Sequence, residues 1–162
     1  MNPTIELRIR TMIRALNEII MPAIDQNNAL AREQAGLLVG HLHVLLMHEG
    51  REQRIGEVER CSLVGLADAL LENSDGGDAT AAATKRLRDL PDDVDIDTLS
   101  HAVEALIIEA GVDGSDGFKR ACDRLVIEHA REDMQRSRVW FKAMGFDHDP
   151  NALPGIDSLF EN

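Results

Sequence analysis

The chain contains 162 residues, of which 44% are hydrophobic and 28% are charged, values typical of a globular protein. Its 29 acidic and 17 basic residues give a net charge of −12, which argues against binding to nucleic acid or to an anionic membrane. Two cysteines cannot build a disulfide framework, and no apolar run reaches the roughly 20 residues of a membrane span. Because the N-terminus also lacks the pattern of a secretory signal, we expect a cytoplasmic protein that binds neither nucleic acid nor membrane.

The spacing of apolar residues predicts helices along nearly the whole chain. The apolar face of the first helix comprises Ile5, Ile9, Met12, Ile13, Leu16, Ile19 and Ile20, and Pro22 is predicted to end or kink that helix. A second helix, capped by Asn27 or Asn28, carries a stripe made of Leu30, Gln34, Leu37, Leu38, His41, Leu45 and His48. Glycine costs about 1 kcal/mol relative to alanine inside a helix, so we expect a break near Gly50 before the apolar pattern resumes.

The second half of the chain repeats this alternation of helices and loops. We predict a loop over residues 73–78, a short helix over 79–90 and an amphipathic helix that starts near Ile96 and stops at Gly111. Ser115 or Asp116 is predicted to cap a long helix from about Phe118 to Met144. The expected fold is all-α: a single domain over 1–162, built as an antiparallel bundle of four main helices with one or two short extra helices. Residues 145–162, which contain two prolines, are predicted to form an irregular, extended C-terminal arm with a short turn at 156–160.

Histidine, carboxylate and other polar side chains recur on one face of the second helix and on one face of the last helix. The candidates for a polar pocket are Gln34, His41, His48, Glu52, His129, Glu132, Asp133 and Arg136. We expect His41, His48 and His129 to point into the bundle as part of a buried polar network. A mononuclear metal site made of His48, Glu52, His129 and Asp133 is the alternative, although the chain has no Glu-x-x-His or His-x-x-x-His pair.

Two carboxylate pairs, Glu49-x-x-Glu52 and Glu72-x-x-Asp75, resemble the acidic signature of the all-helical nucleotide pyrophosphohydrolases. In that family four carboxylates from two helices hold Mg²⁺ against a triphosphate, and oxygen ligands suit this hard cation. The resemblance implies the alternative function, a Mg²⁺- or Mn²⁺-dependent pyrophosphohydrolase-like helical enzyme. Because the segment between the pairs is predicted to be helical, the two pairs would lie about 30 Å apart along one axis.

Negative charge is concentrated in residues 61–117, which hold three basic and thirteen acidic residues. This concentration predicts a solvated face or, as the alternative, a surface for a cation or a basic partner. Asp93, Asp95, Asp97 and Glu104 match positions 1, 3, 5 and 12 of a calcium-binding loop, but Thr98 replaces its sharp-turn glycine. Helix capping by Asp95 or Asp97 explains these residues more simply.

Three stretches of the first half, Ala15–Asp25, Leu30–Gln34 and Val39–Leu42, carry a family resemblance. Through them, residues 8–71 resemble an uncharacterised family of bacterial all-helical proteins. The genes of that family lie near genes for acyl-CoA dehydrogenases and aminoglycoside-phosphotransferase-like kinases. The resemblance therefore implies an accessory role around acyl-CoA metabolism, and it transfers no site residue.

We expect a non-enzymatic helical accessory or interaction protein, to which the sequence assigns no catalytic residue, no cofactor and no metal. The apolar residues of the second helix exceed what one bundle core needs, since Leu42, Val44, Leu46 and Met47 lie off its main stripe. This excess predicts a homodimer, and a different protein partner is the second expectation.

Overall fold

The computed structural model describes residues 2–161, and 79% of the chain is helical, with no strand in this range. The main helices are α1 (Ile5–Ala15), α2 (Ala29–His48), α3 (Glu52–Asn73), α4 (Asp78–Arg88), α5 (Ile96–Asp113) and α6 (Asp116–Trp140). The all-α fold class is therefore confirmed. No helix in the described range is long and apolar enough to cross a lipid bilayer.

The first helix continues slightly past the proline that was expected to end or kink it. Thr4 caps α1 by accepting a hydrogen bond from the amide of Leu7, and a π-helical turn, Leu16–Ile20, follows directly. One more helical turn, Met21–Ala23, contains Pro22, and the backbone becomes extended at Ile24. The π turn already departs from the regular i to i+4 hydrogen bonds of an α-helix. Pro22, which has no N–H to donate, therefore follows a stretch where the backbone hydrogen bonding is already irregular.

The predicted break between the second and third helices is confirmed. Asn28 caps α2 through its side-chain oxygen, which accepts a hydrogen bond from the amide of Ala31, and α2 ends at His48. Gly50 has a φ of +75°, a left-handed conformation that glycine adopts without a steric penalty. The chain therefore turns at this glycine before α3 begins at Glu52.

Contacts along the chain define two compact units, with boundaries inside α3 and α6. Unit 1 comprises Met1–Ile55 and Gln135–Asn162, and unit 2 comprises Gly56–Met134. The core of unit 2 is extensive, and its largest buried side chains are Leu70, Leu106 and Phe118. The rest of its buried cluster comprises Leu66, Ala67, Ala83, Leu87, Leu99, Val103, Ala110, Ala121 and Cys122. Burial raises the pKa of the Cys122 thiol, whereas Cys61 is exposed.

Two glycine-containing loops of unit 2 lie against each other. Gly76 and Gly114 form an isolated antiparallel bridge, and a Cβ atom on Gly76 would lie 2.8 Å from the Cα atom of Gly114. Contrary to prediction, α5 does not stop at Gly111 but runs to Asp113, whose backbone carbonyl accepts a hydrogen bond from Gly77. Ser115 then begins α6, as predicted, by accepting a hydrogen bond from the amide of Phe118.

In unit 1, α1 packs antiparallel to α2. Ile9 and Leu16 of α1 contact Leu42 of α2 in a small buried cluster. The start of α1 and the end of α2 line one cavity, to which Glu6 and Leu46 contribute, so the two helices run in opposite directions. The buried face of α2 is therefore the face that contains Leu42.

The C-terminal segment differs from the predicted extended arm. The last helix, α6, ends at Trp140 rather than Met144 and is followed by three 3₁₀ turns, Lys142–Met144, Pro150–Ala152 and Ile156–Phe160. Leu153 is buried, and its carbonyl accepts a hydrogen bond of 2.7 Å from the ammonium group of Lys142. The segment is therefore folded rather than extended, and the predicted turn at 156–160 is confirmed.

Candidate functional site

The predicted polar stripe of the second helix is not buried as a unit. Gln34 and His41 are exposed on α2, together with Leu30, Leu38 and Leu45. The helical phase assigned to this stripe is therefore wrong, and with it the inward orientation of His41. Because α2 carries apolar residues on several sides, its periodicity did not distinguish the face that packs on α1 from the face left exposed.

His48, at the end of the stripe, is buried in unit 1. Its ring stacks on Trp140 with 3.7 Å between ring centroids and meets Phe141 edge-on. The Nε2 atom of His48 lies 2.8 Å from the carbonyl oxygen of Trp140. Because a carbonyl can only accept, Nε2 carries the proton and donates this bond. His48 therefore connects the end of α2 to the end of α6, and this is a packing role.

Arginines at the start of α3 hold the C-terminal segment within unit 1. The guanidinium of Arg51 donates hydrogen bonds to the carboxylate of Asp157, at 2.9 and 3.1 Å, and to the carbonyl of Met47. Arg54 lies over the ring of Phe160, 4.3 Å from its centroid. The sequence analysis missed these partners because they are separated by about a hundred residues, and no local spacing signals such a pair.

The remaining pocket candidates fall in different places. Glu52 is exposed at the start of α3 in unit 1, where Arg136 is half-buried. His129, Glu132 and Asp133 belong to unit 2, where His129 is half-buried and the two carboxylates are exposed. Within residues 2–161, no three histidine, cysteine, aspartate or glutamate side chains are grouped closely enough to hold a metal ion.

The two carboxylate pairs are likewise divided between the units. Glu49 and Glu52 lie in unit 1, and Glu72 and Asp75 lie in unit 2, with α3 continuous from Glu52 to Asn73. The structure supports helix capping, the explanation that the sequence favoured over a calcium-binding loop. Asp95 caps α5 by accepting hydrogen bonds from the hydroxyl and then from the amide of Thr98, which in that order lower the pKa of its carboxyl.

A serine–histidine pair lines a small cavity in unit 2. The Oγ atom of Ser62 on α3 lies 3.3 Å from the Nδ1 atom of His129 on α6. Glu128 and Glu132 border the same cavity, which measures about 250 Å³. This volume is smaller than that of most ligand pockets, and the contact defines a local polar link between two helices. The sequence analysis did not identify this pair because the two residues are 67 positions apart and no local spacing signals their contact.

A second cavity of unit 2 measures about 460 Å³, within the range of small-molecule sites. The apolar part of its lining comprises Val64, Ala67, Leu71, Leu87, Leu90, Pro91, Val94 and Leu99. The guanidinium of Arg60 donates hydrogen bonds to the backbone carbonyls of Asp92 and Val94, which holds the loop between α4 and α5 over one side. Arg88, Asp68 and Asp92 also line the cavity, so its charged groups carry both signs.

Unit 1 has an exposed apolar surface on α1 and α2. We call Ile5, Met12, Leu38 and Leu45 the apolar strip; each is between 46% and 63% exposed. Ile5, Met12 and Leu38 each precede a buried residue (Ile9, Leu16 and Leu42) by four positions, and Leu45 follows Leu42 by three. All four are therefore rotated about 40–60° in the same sense from the buried face of their helix.

In an antiparallel helix pair, rotation in the same sense brings residues to the same side of the pair. The four side chains of the apolar strip consequently lie on one side of the α1–α2 pair. The positions of α1 and α2 that border the strip are Arg8, Ala15, Leu30, Gln34 and His41, none of which is a carboxylate. An exposed apolar strip whose bordering helical positions carry no carboxylate is unusual in a chain of net charge −12.

Comparison of the chain with models of protein families, with curated proteins and with solved structures gives no match.

Proposed function

We propose that this chain is a non-enzymatic helical accessory or interaction protein that acts as a homodimer. The observation that carries the proposal is the imbalance within unit 1 between buried and exposed apolar residues. Its buried apolar residues are the α1–α2 core cluster of Ile9, Leu16 and Leu42, together with Val44, Ile55, Val139 and Leu153. The exposed large apolar residues of the unit are Ile5, Leu7, Met12, Ile19, Ile20, Leu30, Leu38, Leu45, Phe141 and Phe146. Association removes such surface from water, which is its main thermodynamic driving force.

The proposal includes the setting in which the protein works. The resemblance of residues 8–71 to the bacterial helical family supports an accessory role around acyl-CoA metabolism, in the cytoplasm. We further propose that the main helices form an antiparallel bundle, in keeping with the antiparallel packing of α1 and α2. Neither the serine–histidine pair nor the apolar cavity of unit 2 enters this proposal.

The oligomeric state is tested by sedimentation velocity on the full chain at concentrations from 1 to 100 µM. A homodimer has a mass of about 36 kDa, twice the 17.9 kDa of one chain. We expect the dimer to predominate at the upper concentrations. A species of 17.9 kDa throughout the range would contradict the proposal.

The non-enzymatic assignment is tested with a panel of nucleoside triphosphates in the presence of Mg²⁺ or Mn²⁺. We expect no release of pyrophosphate above that of a protein-free control. Turnover that Glu52→Gln and Glu72→Gln each abolish would instead support the pyrophosphohydrolase-like alternative, because those two carboxylates belong to different predicted pairs.

A further inference from the structure

We infer that the apolar strip on α1 and α2 is the surface through which two copies of this chain associate, strip against strip. The inference rests on the proposed homodimer and identifies the interface within it. It makes Ile5, Met12, Leu38 and Leu45 the centre of that interface, with Gln34 and His41 at its edge.

Half of the strip lies on α2, where apolar residues are spread over several sides of the helix. The apolar sides of a helix are normally buried. In α2, one side packs on α1 through Leu42, and another side, with Val44 and His48, is also buried within the chain. Two sides of α2 stay exposed: one carries the polar residues Arg32 and His43, and the other carries Leu38 and Leu45. The second side is the apolar one, and a second chain is the partner that buries it.

The exposed apolar area of the strip is of the size that a dimer interface needs. A half-exposed aliphatic side chain of this size presents roughly 50–100 Å² of apolar surface, so the strip with Leu30 offers roughly 250–500 Å². One partner in a standard interface contributes about 800 Å², of which about 60% is apolar, or about 500 Å². The exposed apolar surface on this side of the helix pair therefore reaches the requirement of one protomer in a stable dimer at the upper end of its range.

The strip is suited in symmetry and charge to pairing with a second copy of itself. A twofold axis brings the same patch of both copies together, so a single self-complementary patch is sufficient. The strip runs along an antiparallel helix pair, and two such pairs packed face to face form a four-helix arrangement of a common kind. Within α1 and α2 the positions that border the strip carry no carboxylate, and Glu49, one turn after Leu45, is the acidic residue at its end. Two copies therefore meet there with less repulsion than expected elsewhere on a chain of net charge −12.

The test uses charge complementation. The variant Leu38→Glu/Leu45→Glu places four carboxylates in the interface of the dimer, and Leu38→Lys/Leu45→Lys places four ammonium groups there. We expect each variant alone to keep its helical circular dichroism and to sediment as a monomer, with a dissociation constant raised at least about 100-fold, because like charges would have to be desolvated next to one another. Mixed in equal amounts, the two variants are expected to form a heterodimer, in which each carboxylate can pair with an ammonium group.

The matched control is Leu7→Glu, which introduces the same charge on the opposite face of α1, where Leu7 is also exposed. This variant is expected to dimerise as the wild type does. If the wild type dimerises and both strip variants dimerise equally well, the assignment of the interface is wrong while the homodimer stands. The same holds if the mixture of the two variants stays monomeric. A monomeric wild type would contradict the homodimer itself.

Discussion

The hydroxyl of Thr80 donates a hydrogen bond of 2.6 Å to the carboxylate of Asp113, and so links the start of α4 to the end of α5. The same carboxylate accepts hydrogen bonds of 2.9 Å from the backbone amides of Ala79 and Thr80. The N-cap position of α4 is Gly77, which has no side chain to supply a cap. Asp113 therefore caps α4 from another helix, which ties two elements of the unit 2 core together.

Replacement of Thr80 by valine is expected to weaken this link. Thr80 is almost fully buried, so loss of its hydroxyl should lower the free energy of unfolding by about 1–2 kcal/mol. The Thr80 hydroxyl is also the main cause of the low pKa of Asp113, followed by the amides of Ala79 and Thr80. In Thr80→Val, NMR titration should therefore show the Asp113 pKa raised toward its ordinary value of 3.8.

The lowered pKa of Asp113 determines how the stability of the protein depends on pH. A carboxyl whose pKa is lowered by folding stabilises the folded state above the unfolded pKa, and that contribution is lost as the pH falls through the folded pKa. The acid limb of the stability curve should thus be shallower in Thr80→Val than in the wild type. Thr98→Val is the control, since it removes a comparable but exposed hydroxyl–carboxylate bond, to Asp95, and should leave the Asp113 titration unchanged.

Gly114→Ala is expected to disrupt the contact between the two glycine-containing loops of unit 2. A Cβ atom at this position would lie 2.5 Å from the backbone carbonyl oxygen of Ala110, so the backbone must shift. We expect a loss on the order of 2 kcal/mol or more in urea unfolding. At Gly117, inside α6, the nearest atom to an added Cβ is the Ser115 hydroxyl at 3.7 Å, so Gly117→Ala should be neutral or stabilising by about 0.5–1 kcal/mol. Equal effects of the two substitutions would contradict this interpretation.

His48→Ala is expected to destabilise unit 1 by about 2–3 kcal/mol, because it removes the stack on Trp140 and leaves a partly buried carbonyl without its donor. Trp140 is the chain's single tryptophan, so its fluorescence reports this contact directly. We expect a change in emission intensity and maximum in His48→Ala under conditions where the protein remains folded. His43→Ala, at an exposed position of the same helix, should leave stability and emission unchanged.

The ion pair of Arg138 and Asp147 gives a second pH prediction. Hydrogen bonds from the Arg138 guanidinium, at 2.7 and 3.1 Å, and from the Asp149 amide lower the pKa of Asp147 from 3.8 to about 2. The stabilising contribution of this carboxylate is complete above about pH 4 and is lost as the pH falls toward 2. Arg138→Gln should raise the Asp147 pKa in an NMR titration, whereas Arg131→Gln, at an exposed position of α6, should not. An Asp147 that titrates near 3.8 in the wild type would contradict the pairing.

Of the candidate site residues, the sequence analysis located His48 correctly but not its partners. The prediction that His48 is buried used a helical phase that also placed His41 inside, and His41 is exposed. The error has a physical cause. Apolar residues are spread over several sides of α2, so their spacing could not show which side is buried. The contact with α1 decides it. Leu42 and Val44, assigned to the surface for dimerisation, are buried, and Leu38 and Leu45, assigned to the core, are exposed.

The features that the sequence determined by itself depend on a few neighbouring residues. The all-helical class, the cap at Asn28, the turn at Gly50 and the start of α6 at Ser115 follow from local periodicity, side-chain capping and the steric freedom of glycine. The contact of Thr80 with Asp113, 33 residues away, carries no such local signal. The folding of residues 145–160 against the rest of unit 1 carries no such local signal either. These pairings arise from the free energy of many packed groups together, so they required the three-dimensional contacts to be known.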